Sequence, residues 1–166
     1  MNVIFLDIDE TMNCISNTIR CRQLKIASHS FAGFNPVAVG LLRELVKLTD
    51  ASIVLSSTWR LHYESEDDCI AEFIVMMAKY YGWEDFPIVG VTNALPGCRG
   101  DEIQQWIEMH YCTQYVIIDD SSDMLESQQY NFVRIDYRNG FAFDNFVECL
   151  EIFDITSKFS SMKLIR

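Results

Sequence analysis

Val3-Ile4-Phe5-Leu6-Asp7-Ile8-Asp9-Glu10-Thr11, residues 3–11, runs from four consecutive apolar side chains straight into carboxylates. An apolar run without polar alternation predicts a strand covered on both faces, as at the centre of a parallel sheet. The acids then fall at the carboxyl end of that strand, where open α/β sheets gather their chemistry. Asp7 and Asp9 also interrupt the run too early for a secretory apolar core or a membrane span.

Downstream the same punctuation recurs. Pro36 opens a stretch with Val39, Leu42, Leu45 and Val46 at helical spacing, followed by Ser52-Ile53-Val54-Leu55 and the polar Ser56-Ser57-Thr58, which predicts helix, strand, polar loop. A helix over 69–81, stopped at Gly82, precedes a strand over 87–91. Ile103, Trp106 and Ile107 mark a helix reaching about His110, and Tyr115-Val116-Ile117-Ile118 is a fourth strand that again ends in acids, Asp119 and Asp120. Phe132-Val133-Arg134-Ile135 makes a fifth, with Arg138-Asn139-Gly140 as a turn before the periodic Phe143, Phe146, Val147 and Leu150. Strand, helix, strand in repetition predicts an α/β fold, a three-layer α/β/α sandwich with a central, mostly parallel sheet. Residues 12–35 are the least periodic part and are expected to form a short flap or insert over the site, within a domain spanning 1–155. Residues 156–166 are expected as an extra turn or a loose tail.

The 166 residues are 49% apolar, enough for one domain with a sizeable core. Against 13 basic residues stand 24 acidic ones, and the formal charge of -11 disfavours an extensive nucleic-acid surface while leaving room for a small anion site. Glu64, Glu66, Asp67 and Asp68 suit a solvated first helical turn, where the dipole favours negative charge. Six cysteines, without a CxxC pair or Cys/His ligand spacing, are expected as reduced, mostly buried thiols of a cytoplasmic protein with no membrane partner.

Asp7 and Asp9 lie where the chain leaves its strand, so both can reach one pocket. One carboxylate can attack phosphorus while the other protonates the leaving oxygen and later activates water; a metal-only site or a solvated turn is the alternative for such a pair taken alone. Asp119 and Asp120 would add oxygen ligands beside Asp7 for an octahedral Mg²⁺ that touches a substrate phosphate; alone they equally suit a helix cap and a solvated acid. Like charges gathered in one pocket destabilise each other unless a cation compensates them. Asp123 reads as an outlying acid of the site or as helix-turn surface. Ser56, Ser57 and Thr58 offer hydroxyls and backbone N–H groups to a phosphoryl oxygen. Arg60 and Arg99 are the candidate counter-charges for a dianionic phosphate, with surface salt bridges as the alternative.

The series FLDIDET (5–11), IVLSSTWR (53–60), RGDEIQQW (99–106) and YVIIDDSSDM (115–124) resembles the four ordered motifs of the haloacid dehalogenase-like (HAD) phosphatase superfamily. It looks closest to the small HAD-domain proteins of phages and bacteria related to those fused in RNA-repair enzymes. The resemblance runs from Asn2 to about Leu150. It implies a Rossmann-type HAD fold with minimal or no cap, Mg²⁺ as cofactor, and phosphomonoester hydrolysis through an aspartyl-phosphate. Asp7 is then the nucleophile and Asp9 the general acid/base, Ser56 hydrogen-bonds the transferring phosphoryl group, and Thr11 supports the loop. The implied metal ligands are the Asp7 carboxylate, the Asp9 backbone carbonyl and Asp120, with Asp119 either ligating or orienting from behind.

Two positions depart from the superfamily pattern. Arg99 stands where the third motif commonly supplies Lys, which keeps the charge but presents a planar fork instead of a compact ammonium. Glu10 stands where these loops usually carry Gly, so a positive φ there would strain it.

An uncapped site admits a nucleotide or the end of a polynucleotide. Trp59, beside Arg60, is either a base-stacking surface or a packed core ring. Thr11, Ser57, Trp59 and Arg60 complete the expected substrate contacts. With this net charge a nucleoside monophosphate is expected ahead of a long strand. A terminal 3′-phosphate is the alternative, because only the end of the strand need approach, and a non-catalytic HAD-like binding or regulatory protein is the alternative from another class.

Overall fold

The computed structural model describes residues 1–155; the expected tail at 156–166 lies outside the described residues. Its strands are β1 (Asn2–Leu6), β2 (Ala51–Leu55), β3 (Ile88–Val91), β4 (Gln114–Asp119) and β5 (Phe132–Arg134). They form one sheet in the order β3-β2-β1-β4-β5, with every pairing parallel. β1 is central, with Asn2 to Leu6 in register with Ala51 to Leu55 on one side and Gln114 to Ile118 on the other.

Helices cover both faces, which is why the β1 run shows no alternation. They are α1 (Ile15–Leu24), α2 (Pro36–Thr49), α3 (Glu66–Tyr81), α4 (Arg99–Met109) and α5 (Phe143–Ile152). Ile4 and Leu6 join a core with Leu42 and Leu45 of α2, Phe73 and Met77 of α3, and Cys149 of α5. Val3 and Phe5, pointing the other way, pack with Ile103 and Trp106 of α4. The result is the expected three-layer sandwich of Rossmann/HAD-like topology with a minimal cap region.

Local chemistry sets the helix ends. Pro36 occupies the first turn of α2, and the Asn35 side chain accepts the Val37 N–H at 3.0 Å. Ser65 caps α3 by accepting the Asp68 N–H at 3.1 Å, ahead of the acidic turn Glu66, Asp67 and Asp68. Gly82 ends α3 in the left-handed region at φ +58, as its position after the periodic stretch predicts. Glu66 also covers the edge of the sheet, accepting the Val91 N–H of β3 at 3.0 Å.

The segment 12–35 carries a helix, α1, that the sequence did not predict. Its buried residues are Asn17 and Cys21, while Ile15, Ile19 and Leu24 are exposed, so the apolar pattern that announces a core-facing helix is inverted here. Polar bonds fasten the segment instead: Asn17 Nδ2 donates to Gly33 O at 2.6 Å, Asn35 N to Met12 O at 2.7 Å, and Ser16 N to Arg138 O at 2.9 Å. Gly140 permits this docking, because at φ +69 any Cβ would stand 2.7 Å from Thr11 O and 2.8 Å from the Cys14 side chain.

All six cysteines are free thiols, with Cys14, Cys21, Cys69 and Cys149 buried. No helix among the described residues is long and apolar enough to cross a membrane.

Candidate active site

The sheet's own hydrogen bonds hold the strand ends level. Asp7 N donates to Ile118 O at 3.0 Å, Ser56 N to Leu6 O at 2.9 Å, and Ile135 N to Asp119 O at 2.9 Å. Asp7, Asp119 and Asp120 are thereby gathered, each offering a carboxylate oxygen within 4.8 Å of the others. Burial, reinforced by the Asp119 charge, pushes the Asp7 carboxyl up to about 8 against the pull of Arg99, the Ser57 hydroxyl and the Ile8 N–H. Burial pushes Asp119 up to about 6 as well, although Arg99 and the Ser121 N–H act the other way. Asp119 Oδ2 is buried and accepts no hydrogen bond among the described residues. Clustered hard oxygen donors, one of them orphaned, fit a divalent cation, which would relieve both the repulsion and the desolvation.

Arg99 begins α4 and reaches across the site. Its Nη1 lies 3.8 Å from Asp7 Oδ1 and 3.5 Å from Ser56 Oγ, and its Nε lies 3.9 Å from Asp119 Oδ2. Asp123 seats this helix end: its Oδ2 accepts the Arg99 N–H at 3.0 Å and its Oδ1 accepts the Ser121 hydroxyl at 2.6 Å. Burial alone would raise the Asp123 carboxyl, but these hydrogen bonds outweigh it and hold the group below the usual range.

Arg60 is brought close and then turned inward. Its Nη2 sits 2.7 Å from Glu102 Oε2 and its Nη1 donates to Ser57 O at 2.6 Å, beneath the 3₁₀ turn Thr58–His62. Glu102 Oε2 is also 3.8 Å from Arg99 Nε, so one buried carboxylate stands between two guanidiniums. The sequence did not single out Glu102; its i,i+3 spacing from Arg99 on a helix was the available signal.

Ser57 is fully buried and caps the 3₁₀ turn by accepting the Trp59 N–H at 3.4 Å. Trp59 packs edge-on against Phe31, with centroids 5.3 Å apart, and tilted against Phe34 at 5.4 Å. It also lines a cavity of about 460 Å³ together with Asp9, His29, Ser30, Phe31, His62 and Tyr63.

Asp9 opens onto that cavity with 42% of its side chain exposed, in contrast to the enclosed Asp7. Its Oδ1 accepts Asn13 Nδ2 at 2.8 Å and lies 3.6 Å from His29 Nδ1. Neither Asn13 nor His29 stood out in the sequence. Thr11 is enclosed at the base of the loop, its carbonyl accepting the Phe141 N–H at 2.9 Å and its hydroxyl without a partner among the described residues. Glu10 adopts φ +58, the conformation that the departure from Gly made costly.

Residues 3–146 match a family described as the HAD domain in Swiss Army Knife RNA repair proteins. No curated protein and no solved structure matches the chain. The matched span runs from β1 into α5 and takes in each of the strand ends that gather the carboxylates, so the Asp-centred site stands on the family's own scaffold. The chain therefore belongs to this family of HAD domains and is a HAD-like phosphatase.

Proposed function

We propose that the protein is a Mg²⁺-dependent phosphomonoester hydrolase that works through an aspartyl-phosphate on Asp7, with a nucleoside monophosphate as substrate. The observation that carries the chemistry is the setting of Asp7, which shares a carboxylate cluster with Asp119 and Asp120 and has the Arg99 guanidinium 3.8 Å away. Asp7, Asp119, Asp120 and the Asp9 backbone carbonyl would hold Mg²⁺, which when bound neutralises the carboxylates and withdraws charge from the phosphoryl oxygens.

With its charge compensated, Asp7 is ionised at neutral pH and attacks phosphorus. The Asp7–phosphorus bond forms as the bond to the leaving oxygen breaks, and Asp9 gives that oxygen its proton. Asp9, now a carboxylate, takes a proton from water. The water oxygen bonds to phosphorus, the bond to Asp7 breaks, and phosphate leaves. Arg99 and Ser56 stabilise the charge on the transferring group throughout.

The cavity supports the nucleotide reading. It adjoins the general acid, where the leaving group must lie, and its about 460 Å³ falls within the range of small-ligand sites. The rings of Trp59, Phe31 and Tyr63 on its wall offer apolar faces to a base. A terminal 3′-phosphate on a polynucleotide is the second reading. Residues 12–35 contain Arg20, Arg22 and Lys25 and no acid, a local positive exception in an acidic chain, and the family's description refers to RNA repair.

The test is phosphate release from 5′- and 3′-mononucleotides, 3′-phosphorylated oligonucleotides and sugar phosphates, with Mg²⁺ or EDTA, for wild type and Asp7→Asn. Release that needs Mg²⁺ and falls at least about a thousandfold in Asp7→Asn is the expected result. Preference for the mononucleotides over the oligonucleotides decides between the two substrates. No release by folded protein across the panel would reject hydrolysis of these substrates and favour a binding role.

A further inference from the structure

We infer that Asn13 is a positioning residue that holds one oxygen of the Asp9 carboxyl and turns the other toward the leaving group, and that it thereby sets activity toward poor leaving groups. This rests on Asp9 serving as the general acid.

Asn13 is buried, with 3% of its surface exposed, and both ends of its amide are used. Its Oδ1 accepts the Glu10 N–H at 2.9 Å, and its Nδ2 donates to Asp9 Oδ1 at 2.8 Å. The first bond dictates the second: an oxygen must face the Glu10 N–H, so the NH₂ end must face Asp9. His29 Nδ1, 3.6 Å from the same Asp9 oxygen, places a second nitrogen on that side. Both residues come from the segment 12–35, so the flap presents two nitrogens to one oxygen of the acid.

A protonated carboxyl has one accepting oxygen and one donating oxygen. An amide donor on Oδ1 engages that oxygen as the acceptor, a role that a carbonyl oxygen fills better than a hydroxyl. Asn13 thus holds Oδ1 and leaves Oδ2 as the oxygen to face the leaving group. The same side chain ties down the backbone of Glu10 in its left-handed conformation, so the loop and the acid it carries are fixed together. Proton delivery is sensitive to orientation, because the acid must meet the leaving oxygen as its bond to phosphorus lengthens.

The consequence depends on the leaving group. A nitrophenolate departs without a proton, whereas a more basic phenolate or an alkoxide needs one. The experiment is kcat/KM, which covers the steps through formation of the aspartyl-phosphate, for aryl phosphates from p-nitrophenyl to p-methoxyphenyl. Wild type is compared with Asn13→Ala and with Asn13→Asp, which keeps an acceptor for the Glu10 N–H while losing the amide donor to Asp9. The expected result is a loss of about tenfold or more on p-methoxyphenyl phosphate and of under about twofold on p-nitrophenyl phosphate. Should Asn13→Ala fail to fold, Asn13→Asp carries the comparison. A loss of equal size across the series, or none, overturns the role, since a merely structural contact would lower every rate alike. Wild type inert toward the aryl series and toward the nucleotide, oligonucleotide and sugar phosphate panel alike would overturn the hydrolase reading itself and this role with it.

Discussion

Glu10 sits at φ +58 in the loop that follows β1 and Asp7, held there by the bond from its N–H to Asn13. A side chain in the left-handed region costs about 1 kcal/mol relative to Gly, before any charge effect. Here the charge adds to it, because burial and the nearby Asp120 raise the Glu10 carboxyl, with His29 opposing. Glu10→Gly is therefore expected to stabilise the fold by about 1 kcal/mol, a rise of about 2–4 °C in melting temperature, while leaving the Asn13 clamp on the backbone intact. A melting temperature that stays put or falls would show that the loop carries no strain at this residue. The sequence exposed this anomaly through one letter, Glu where Gly is usual. It gave no comparable sign for Asn13, whose partners depend on how the loop folds back on itself.

At the scale of elements, α4 brings Arg99 and Glu102 to the site on one face, and Glu102 holds Arg60 of the β2 loop. Glu102→Ala leaves the Arg60 guanidinium buried without its partner and is expected to cost about 3–5 kcal/mol in urea denaturation. The double replacement Arg60→Met with Glu102→Leu removes both charges and is expected to cost clearly less than the single change. A double variant as unstable as the single would mean that shape, and not charge, makes the contact. This pairing also marks where sequence ran out. Arg60 lies in the polar loop after β2 and Arg99 at the start of α4, and nothing local tells which is turned inward; the carboxylate that holds Arg60, Glu102, lies 42 positions from it. The strands and α2 to α5 were legible, because apolar runs and 3.6-residue spacing report burial directly. α1 was not, because polar side chains anchor it while its apolar residues face outward.

The whole molecule is an acidic protein that concentrates further acid inside itself. In the metal-free state the Asp7 and Asp119 carboxyls, at about 8 and about 6, lie above their ordinary 3.8. Between these values the native state keeps protons that the unfolded chain has released, so stability falls as pH rises. This contribution is whole below about pH 4 and is lost through about pH 6 to 8. Melting in EDTA is therefore expected to drop between about pH 5 and 8, with a smaller drop in Asp7→Asn, and saturating Mg²⁺ to raise the melting temperature more at the higher pH. A metal-free melting temperature that climbs over this interval would contradict the burial of these acids. The central place of β1 has a consequence for how the protein is made. Its residues emerge before those of the other strands, yet Leu6 pairs with both Leu55 and Ile118, and the partners Asp119 and Asp120 follow at the end of β4. On the ribosome the nascent chain can close β1 against β2 early, but the other edge stays open until β4 has been synthesised. Through that interval the central strand of the sheet presents an unpaired side to solvent, and no carboxylate cluster exists to bind metal.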